Sequence, residues 1–435
     1  MSVLLQASRV FSAAAGSGPI KRGTIVLSWG TGQQGALGTR SDSDQHEPEQ
    51  IPDLPSNIVS VGAGHFSSFA VTAEGQLYAW GRNREGQLGR ALGRGEFECS
   101  ALPQSVDALA KHHVTAATGS GVSSFAVSRD GSLFAFGTSK RGQLGLGPDA
   151  LQAHVPQQVP LPTGVQQVSA GWGHAAALLS DGTLYSWGWA AGGRLGHSFA
   201  ATDADEEEQR LHERRCWQPR RVELLDGVRI RQVVCGFDHT LVLAEDGSLF
   251  SFGDNSLSQL GRASQPQGEH LRPDCASSWI VNPETECGRR IKFRRVAAGL
   301  GHCLGLLNDG SVVSWGWNSG GQLGLGQFVS DECVLKPTPI YGIPTNRHAL
   351  LAAGRVHSVL ATDEITDRSA AFESQGLGKA VLTMCHSWGS AANGRLGTGR
   401  FEETSYPEML PELDGEQILE LACGLDHTLA LVRDL

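Results

Sequence analysis

The side chains best suited to chemistry in this sequence are histidines that recur in a Gly-x-x-His motif. An imidazole titrates near neutral pH, so it can serve as a general acid, a general base or a metal ligand. Because the motif returns at the same place in successive repeats, we predict a structural role, hydrogen bonding to loop backbone, and neither catalysis nor metal binding. Aspartates directly precede His239 and His427. The motif stands at Gly171/His174, Gly236/His239, Gly299/His302, Gly354/His357 and Gly424/His427, and the aspartates are Asp238 and Asp426.

Basic residues form a second candidate site. They are concentrated in two stretches, 214–231 and 289–295, although the formal net charge is -10. Counting back from the repeat glycine places equivalent basic residues in consecutive repeats, so we predict that they form one patch. Such a patch favours an acidic protein surface or RNA as partner; the alternative is a solvated surface partly neutralised by nearby acids. The candidate partner-binding residues, called the basic patch below, are Arg229, Arg231, Lys292, Arg294 and Arg347.

Other common chemistries have no signature in the sequence. The nine cysteines include no Cys-x-x-Cys pair, and Cys235 and Cys423 occupy a small-residue position before the repeat glycine. We interpret them as core residues of a protein from a reducing compartment, not as disulfides or zinc ligands. The chain has neither a phosphate loop nor a nucleophile elbow. We therefore expect no cofactor, no metal and no covalent catalysis, and no membrane partner because no apolar run approaches roughly 20 residues.

The candidate residues are positioned by a repeated unit that covers nearly the whole chain. Each unit contains an Asp-Gly hairpin turn or a variant of it, an alternating strand that ends in Trp-Gly or Phe-Gly, a Gly-x-Leu-Gly loop and a proline-bearing segment. Because proline cannot donate to a central ladder, we expect that last segment to be an edge strand. Each unit is then a four-stranded antiparallel sheet with its aromatic residue in the core. The aromatic residues are Trp29, Trp80, Phe136, Trp187, Phe252, Trp315 and Trp388.

A single four-stranded sheet cannot bury both of its faces. We therefore predict that seven such sheets stack face to face around an axis as an all-β, seven-bladed β-propeller over residues 24–435. The ends of the chain predict how the ring closes. The first unit begins at "GTIVLSWG" without a Gly-x-x-His element, and the last ends at "CGLDHTLALVRDL". Each end is half a unit. We therefore predict that residues 24–45 complete the sheet begun by residues 417–435.

Several segments lie outside the repeat. Residues 1–23 contain no acid, and Arg9-Val10-Phe11 before Ser12 resembles a mitochondrial processing site. This leader is either an organelle presequence or a flexible N-terminus, which leaves localisation open between mitochondrion and cytosol or nucleus. Insertions occur at 197–217, 262–282 and 364–382. The third follows Glu364, a turn position, so we expect it on the face opposite the Gly-x-Leu-Gly loops.

The ordered Gly-x-x-His, Asp-Gly, Trp-Gly and Gly-x-Leu-Gly elements resemble the regulator of chromosome condensation repeat family. The resemblance implies a propeller, and it implies functions as different as nucleotide exchange on the small GTPase Ran, ultraviolet-B reception, ubiquitin-ligase modules and mitochondrial roles. We predict a non-enzymatic protein-interaction platform, with guanine-nucleotide exchange on a small GTPase as its leading activity. The alternative is a mitochondrial assembly or RNA-associated factor.

An ultraviolet-B receptor is a further alternative. The resemblance implies that such a receptor carries tryptophans directly after the Gly-x-x-His glycine in several consecutive blades. Here only Trp172 follows this pattern. The equivalent residues in the later repeats are Phe237, Leu300, Arg355 and Leu425. The sequence therefore favours an interaction platform over a photoreceptor.

Overall fold

The structure, a computed structural model, describes most of the repeat region. The described residues are 23–90, 98–162, 164–197, 214–262, 279–280, 292–326, 332–344, 346–364 and 382–434. The predicted leader lies outside them except for Gly23, and so do the central parts of all three insertions.

Short antiparallel strands make up almost all of the described secondary structure. They are β1 (Thr24–Gly30), β2 (Gln45–Gln50), β3 (Ile58–Ala63), β4 (Ser67–Thr72), β5 (Leu77–Arg82), β6 (Cys99–Ser105), β7 (Val114–Gly119), β8 (Ser123–Ser128), β9 (Leu133–Thr138), β10 (Gln152–Gln158), β11 (Val165–Ala170), β12 (His174–Leu179), β13 (Leu184–Gly188), β14 (Arg220–Arg221), β15 (Ile230–Cys235), β16 (His239–Ala244), β17 (Leu249–Gly253), β18 (Trp279–Ile280), β19 (Phe293–Ala298), β20 (His302–Leu307), β21 (Val312–Trp317), β22 (Cys333–Pro339), β23 (Leu350–Ala353), β24 (His357–Glu364), β25 (Leu382–Gly389), β26 (Thr404–Met409), β27 (Ile418–Cys423) and β28 (His427–Arg433). One-turn 3₁₀ helices occupy Gln33–Gly35, Asp107–Leu109, Ala191–Gly193, Glu223–Leu225, Ala392–Gly394 and Pro411–Leu413.

These strands form seven four-stranded sheets, the blades of a β-propeller, as the repeat predicted. Blades 1 to 6 hold β3–β6, β7–β10, β11–β14, β15–β18, β19–β22 and β23–β26, each in sequence order from the axis outward. The proline-bearing strands, such as β2, β6 and β10, lie at the outer edge. Their edge position is confirmed. Proline has no N–H to donate, and at the outer edge this costs no hydrogen bond to a further strand.

Blade 7 closes the ring by combining both ends of the chain. Its strand order is β2-β1-β28-β27, so two N-terminal strands complete a sheet begun by two C-terminal strands. The register runs without a break from the pair Thr24↔Arg433 to the pair Gly30↔His427. The closure predicted from the two half-repeats is confirmed.

Indole rings fill the space between blades, as expected for the Trp-Gly positions. Trp80 and Trp187 are fully buried. Each indole Nε1–H donates to a Gly-x-Leu-Gly carbonyl of the preceding blade, Trp80 to Ala36 O at 3.0 Å and Trp187 to Gln143 O at 2.9 Å. Burial of a large ring together with a satisfied N–H locks each loop onto the next sheet.

The two faces of the ring carry different elements. The loop face holds the Gly-x-x-His turns and the Gly-x-Leu-Gly loops. The turn face holds the Asp-Gly hairpins and the connections from each outer strand to the next inner strand. Glu364 pairs with Leu382 at the hairpin end of blade 6, so the third insertion starts and ends on the turn face, as predicted. The inner strands surround an axial cavity of about 180 Å³.

Candidate functional site

The motif histidines lie at the junctions between blades, fully buried. Each Nε2 meets the hydroxyl or thiol of the second residue of a strand in the next blade. The pairs are His174–Thr240 at 2.9 Å, His239–Cys303 at 3.2 Å, His302–Ser358 at 3.0 Å, His357–Thr428 at 3.1 Å and His427–Ser68 at 2.9 Å. The same contact therefore recurs at five successive junctions, which join blade 3 through blade 7 and then blade 7 to blade 1.

Where the hydroxyl of a pair makes a second hydrogen bond to a loop carbonyl, this bond determines which atom of the pair donates. Thr240 Oγ1 donates to the loop carbonyl of Arg194 at 2.8 Å, so the hydroxyl must accept from the Nε2–H of His174. Ser68 repeats this arrangement between Ala36 O and His427. The histidines thus support the loops through one intervening hydroxyl, whereas the sequence predicted a direct bond to loop backbone.

Burial keeps these imidazoles neutral. It lowers the pKa of His239 and of His427 to about 4, and that of His302 to about 3. Their Nδ1 atoms have no hydrogen-bond partner among the described residues. A neutral, enclosed imidazole with no access to solvent cannot exchange protons with a substrate, so the geometry agrees with a structural role.

The aspartates beside two of the histidines bind arginines instead. Asp238 pairs with Arg194, the second residue of the Gly-x-Leu-Gly loop of blade 3. Asp426 accepts from Arg395 Nη1 at 2.9 Å, at the matching position of blade 6, and from Arg355 Nε at 3.0 Å. Each carboxylate therefore binds the loop of the preceding blade to its own blade. Within the described ranges no group of His, Cys, Asp and Glu is arranged to hold a metal ion.

The basic patch lies on the turn face. Lys292 packs beside Gly247, the hairpin glycine of the preceding blade, and Arg347 occupies the same place beside Gly310. The backbone of Arg229 takes the equivalent position next to the hairpin of blade 3. The structure thus places the three residues in consecutive blades, each beside the glycine of the preceding blade's hairpin turn.

Two cations of the basic patch are already bonded within the protein. Arg231 Nη2 donates to Phe293 O at 3.2 Å and also to Arg294 O. Lys292 Nζ donates to Asp246 Oδ2 and to Ser248 Oγ, both at 2.9 Å. The hydrogen bond from Lys292 lowers the pKa of Asp246 to about 2.

Burial lowers the pKa of Arg231, and the nearby Arg294 cation lowers it further, so these two residues are brought together. Arg229 and Arg347 are exposed. Neither forms an ion pair with another described residue.

The loop face holds a second cationic region that the sequence did not single out. The guanidinium carbon of Arg141 lies 3.7 Å from the ring centroid of Trp189, and that of Arg194 lies 4.2 Å from it. One indole from blade 3 therefore contacts an arginine of blade 2 and an arginine of its own loop. Of these two arginines, Arg194 is paired with Asp238, and Arg141 has no acidic partner among the residues that the structure describes.

Beside this contact, three rings cluster at the axis. Trp172 and Phe237 have centroids 5.0 Å apart with planes 17° from parallel, and His65 lies 5.5 Å from Trp172 and 5.8 Å from Phe237. They come from blades 3, 4 and 1. Trp172 is 39% exposed, while burial lowers the pKa of His65 to about 4. We call Arg141, Trp172, Trp189 and Arg194 the tryptophan–arginine surface.

The sequence held one signal for this region. Trp172 and Phe237 occupy the same position after a repeat glycine. That position lies in the turn between the first and second strands of a blade, and these turns of all blades meet at the axis of a propeller. His65, by contrast, is displaced from the Gly-x-x-His position, where blade 1 carries Ser67. Its place in the cluster depends on a backbone hydrogen bond to the next blade, in which His65 N donates to Ser120 O at 3.2 Å.

Comparison with known proteins assigns the fold to a family. Residues 25–430 match the RCC1-like domain. The chain belongs to the RCC1-like domain family. This confirms the resemblance stated from the repeat motifs.

Relatives of this RCC1-like chain have different functions. It is 29% identical over 408 residues to the ultraviolet-B receptor UVR8 of Arabidopsis thaliana, covering 93% of this chain and 81% of that protein. It is 27% identical over 365 residues to the guanine nucleotide exchange factor SRM1 of Saccharomyces cerevisiae, covering 76% of this chain and 73% of that protein. It also matches human E3 ubiquitin-protein ligase HERC2, 28% identical, but spans only 8% of that protein's length.

A solved structure shares the architecture of this RCC1-like ring. The crystal structure of Prp20p from Saccharomyces cerevisiae, described with its binding properties to Gsp1p and histones, aligns with a TM-score of 0.74 and covers 95% of this chain and 92% of that one. The two are 22% identical, so the similarity shows the fold.

None of these matches supports the predicted mitochondrial location, and the leader itself remains a prediction. In the part of this RCC1-like chain that the structure describes, no helix is long and apolar enough to cross a membrane.

Proposed function

We propose that this protein is a non-enzymatic interaction platform whose leading activity is guanine-nucleotide exchange on a small GTPase. The observation that carries the proposal is the match to SRM1, a named exchange factor, over 73% of that protein's length. An exchange factor forms no covalent bond with nucleotide; it binds the GTPase in a conformation that holds nucleotide weakly. A ring whose described motif histidines are buried and neutral suits that task, because exchange requires a binding surface and not a reactive group.

The basic patch is the proposed partner contact on the turn face. Arg229 and Arg347 are exposed and have no described acidic partner, so both cations are free to meet carboxylates of a partner. Arg231 and Lys292 shape the patch through their internal bonds, and Arg294 adds charge beside Arg231. Charge complementarity of this kind mainly raises the rate and specificity of association.

Release of fluorescent GDP from purified small GTPases, including Ran-like members, tests the activity. We expect the full chain to accelerate release, and we expect the double reversal Arg229→Glu/Arg347→Glu to reduce the acceleration by about tenfold, since like charges across an interface repel. Arg40→Glu is the matched control, because Arg40 is exposed but already paired with Asp53 at 2.7 Å. Absence of acceleration with every GTPase would exclude exchange. Equal activity of the double reversal and the control would exclude the basic patch as the contact.

A further inference from the structure

Blade 3 presents three tryptophans on the loop face. Trp172 stacks on Phe237 and His65 at the axis. Trp189 packs over Gly173, next to Trp172 in the chain, and Trp217 packs over Gly142 of the neighbouring loop in blade 2. The backbone fixes this last contact, since Gly147 N donates to Trp217 O at 3.1 Å. The three rings therefore lie on rigid, hydrogen-bonded segments of adjacent blades.

Four cations without an ion pair to a described residue lie in the segments that carry Arg141 and Trp217. Arg141 lies on Trp189, and Lys140 precedes it on the same exposed loop. Arg214 and Arg215, also exposed, precede Trp217. None of the four forms an ion pair with any residue that the structure describes. Local positive charge on a chain of net charge -10 is therefore available for a ligand.

Arg141 lies over the Trp189 ring, and its guanidinium donors have no described carboxylate partner. A guanidinium lying flat on an indole keeps its N–H groups in the plane of the fork, where they can bind phosphate oxygens. Trp172 complements it with an exposed flat ring whose position is fixed by the rings it stacks on. A cation beside a supported aromatic platform is the arrangement by which proteins hold an unpaired base and its phosphate.

We propose that the tryptophan–arginine surface, with the flanking Lys140, Arg214 and Arg215, binds single-stranded nucleic acid. A base stacks on the exposed indole of Trp172, and the phosphates on either side pair with Arg141 and its basic neighbours. This activity is separate from nucleotide exchange, because the surface lies on the loop face and the basic patch lies on the turn face.

Single strands fit the surface better than the other anionic partners. A duplex keeps its base faces stacked inside, so it would contact the cations but gain nothing from Trp172. An acidic protein segment would likewise use the charges without needing a flat, supported ring. The stacking contribution is therefore what distinguishes the proposal from general electrostatic attraction.

Fluorescence anisotropy with the full chain and a labelled 15-nucleotide uridine RNA tests the proposal, with the same-length thymidine DNA and a blunt duplex as further probes. We expect both single strands to bind more tightly than the duplex. Trp172→Ala should weaken single-strand binding by about tenfold, whereas Trp172→Phe should retain most of the affinity, because base stacking needs only an aromatic face. Tyr341→Ala is the matched control, since Tyr341 is an exposed aromatic (82%) outside this surface.

Charge variants provide a second, independent readout. Lys140→Glu/Arg141→Glu should weaken binding and reduce the slope of log affinity against log salt by about 1.4, since each phosphate contact to a single strand contributes about 0.7. Arg229→Glu/Arg347→Glu makes the same change of charge on the turn face and should leave the affinity unaltered. That pair impairs nucleotide exchange if the proposed function holds, so the two proposals can fail separately.

Three outcomes would overturn the inference. The first is no binding of either single strand at low salt. The second is equal affinity for duplex and single strand with no effect of Trp172→Ala, which would identify a purely electrostatic surface. The third is an equal loss of single-strand affinity in Tyr341→Ala and Trp172→Ala, which would show that the binding does not depend on this surface.

Discussion

The basic patch and the tryptophan–arginine surface are both rich in cations, but they differ in how much of that charge is available. On the turn face, Arg231 is bonded to two carbonyls and Lys292 to Asp246. On the loop face, Arg141 lies on an indole and has no acidic partner among the described residues. The number of basic residues in a stretch of sequence therefore does not measure the charge that a partner meets.

The reason for the difference lies in the repeat. Each inner strand begins beside the Asp-Gly hairpin of the preceding blade, where a lysine can reach the acid of that hairpin, as Lys292 reaches Asp246. Arg229 and Arg347 stand at the equivalent points but form no ion pair with a described residue.

The loop after Trp-Gly carries no obligatory acid. Blade 2 has Lys140 and Arg141 there, and the aspartate of the next junction, Asp238, is bound to Arg194. Arg141 consequently stays exposed, whereas Arg194 and Arg395 in the equivalent loops of blades 3 and 6 are paired with aspartates.

Opening the ring should have the largest effect, because both surfaces depend on closure. Deleting residues 1–23 should leave a folded protein. Deleting residues 1–38 removes β1 with the buried Trp29, together with the buried loop residue Leu37, and leaves blade 7 without its third strand. Loss of several large core side chains, at a few kcal/mol each, approaches a typical total stability of roughly 5 to 15 kcal/mol.

Calorimetry and solubility of the two truncations provide the measurement. We expect the longer deletion to be insoluble or broadly unfolded and to lose both proposed binding activities together. If it melts as cooperatively and as high as the shorter deletion, the ends do not need each other and the closure account is wrong.

Acid should produce the next largest effect, through the junction histidines. In an unfolded chain histidine titrates near 6.5, but in the fold His239 and His427 titrate near 4 and His302 near 3. Between pH 6.5 and 4 the unfolded state binds more protons, so the free energy of unfolding falls as pH falls. These three histidines should together remove about 5 kcal/mol between pH 6.5 and 5.

Urea titrations at several pH values check this dependence. His302→Ala should lower the free energy of unfolding by about 1 to 3 kcal/mol at pH 7.5, because Ser358 loses its partner. The same variant should also lose about a third of the acid dependence that these three histidines contribute. A slope that is the same in the variant and the parent would contradict the titration argument.

The smallest expected effects distinguish the bonded cations from the free ones. Arg231→Glu should lower the free energy of unfolding by about 1 to 3 kcal/mol, since two carbonyls lose their donor. Lys292→Met should cost at most about 1 kcal/mol, because its pair with Asp246 is exposed. Arg347→Glu and Arg141→Glu should stay within about 0.5 kcal/mol, as expected for surface positions without bonded partners.

Chemical denaturation of the four variants would settle the comparison between the two regions. Equal stabilities for Arg231→Glu and Arg347→Glu would show that the carbonyl bonds of Arg231 add nothing to the fold. A large loss for Arg141→Glu would show that its contact with Trp189 is structural, and that its charge is not reserved for a ligand.

Much of the architecture could be derived from the repeat. Hairpin turns, alternating strands and edge prolines are local signals, and each was confirmed because neighbouring residues determine backbone conformation and strand period. The half-repeats at the two ends predicted closure, because the first unit lacks the two inner strands of a blade and the last unit lacks the two outer strands. The burial of Trp29, Trp80 and their equivalents followed from the same periodicity.

The partners of individual side chains were decided only by the tertiary structure. The carbonyls that bind Arg231 lie 62 and 63 residues away in the chain, and the histidines reach hydroxyls of the next blade instead of loop backbone. His65, Trp172 and Phe237 meet because the ring brings the inner turns of blades 1, 3 and 4 to one axis. A repeat pattern specifies which positions are equivalent, but the contacts across blades depend on the three-dimensional spacing around that axis, which no local stretch of sequence encodes.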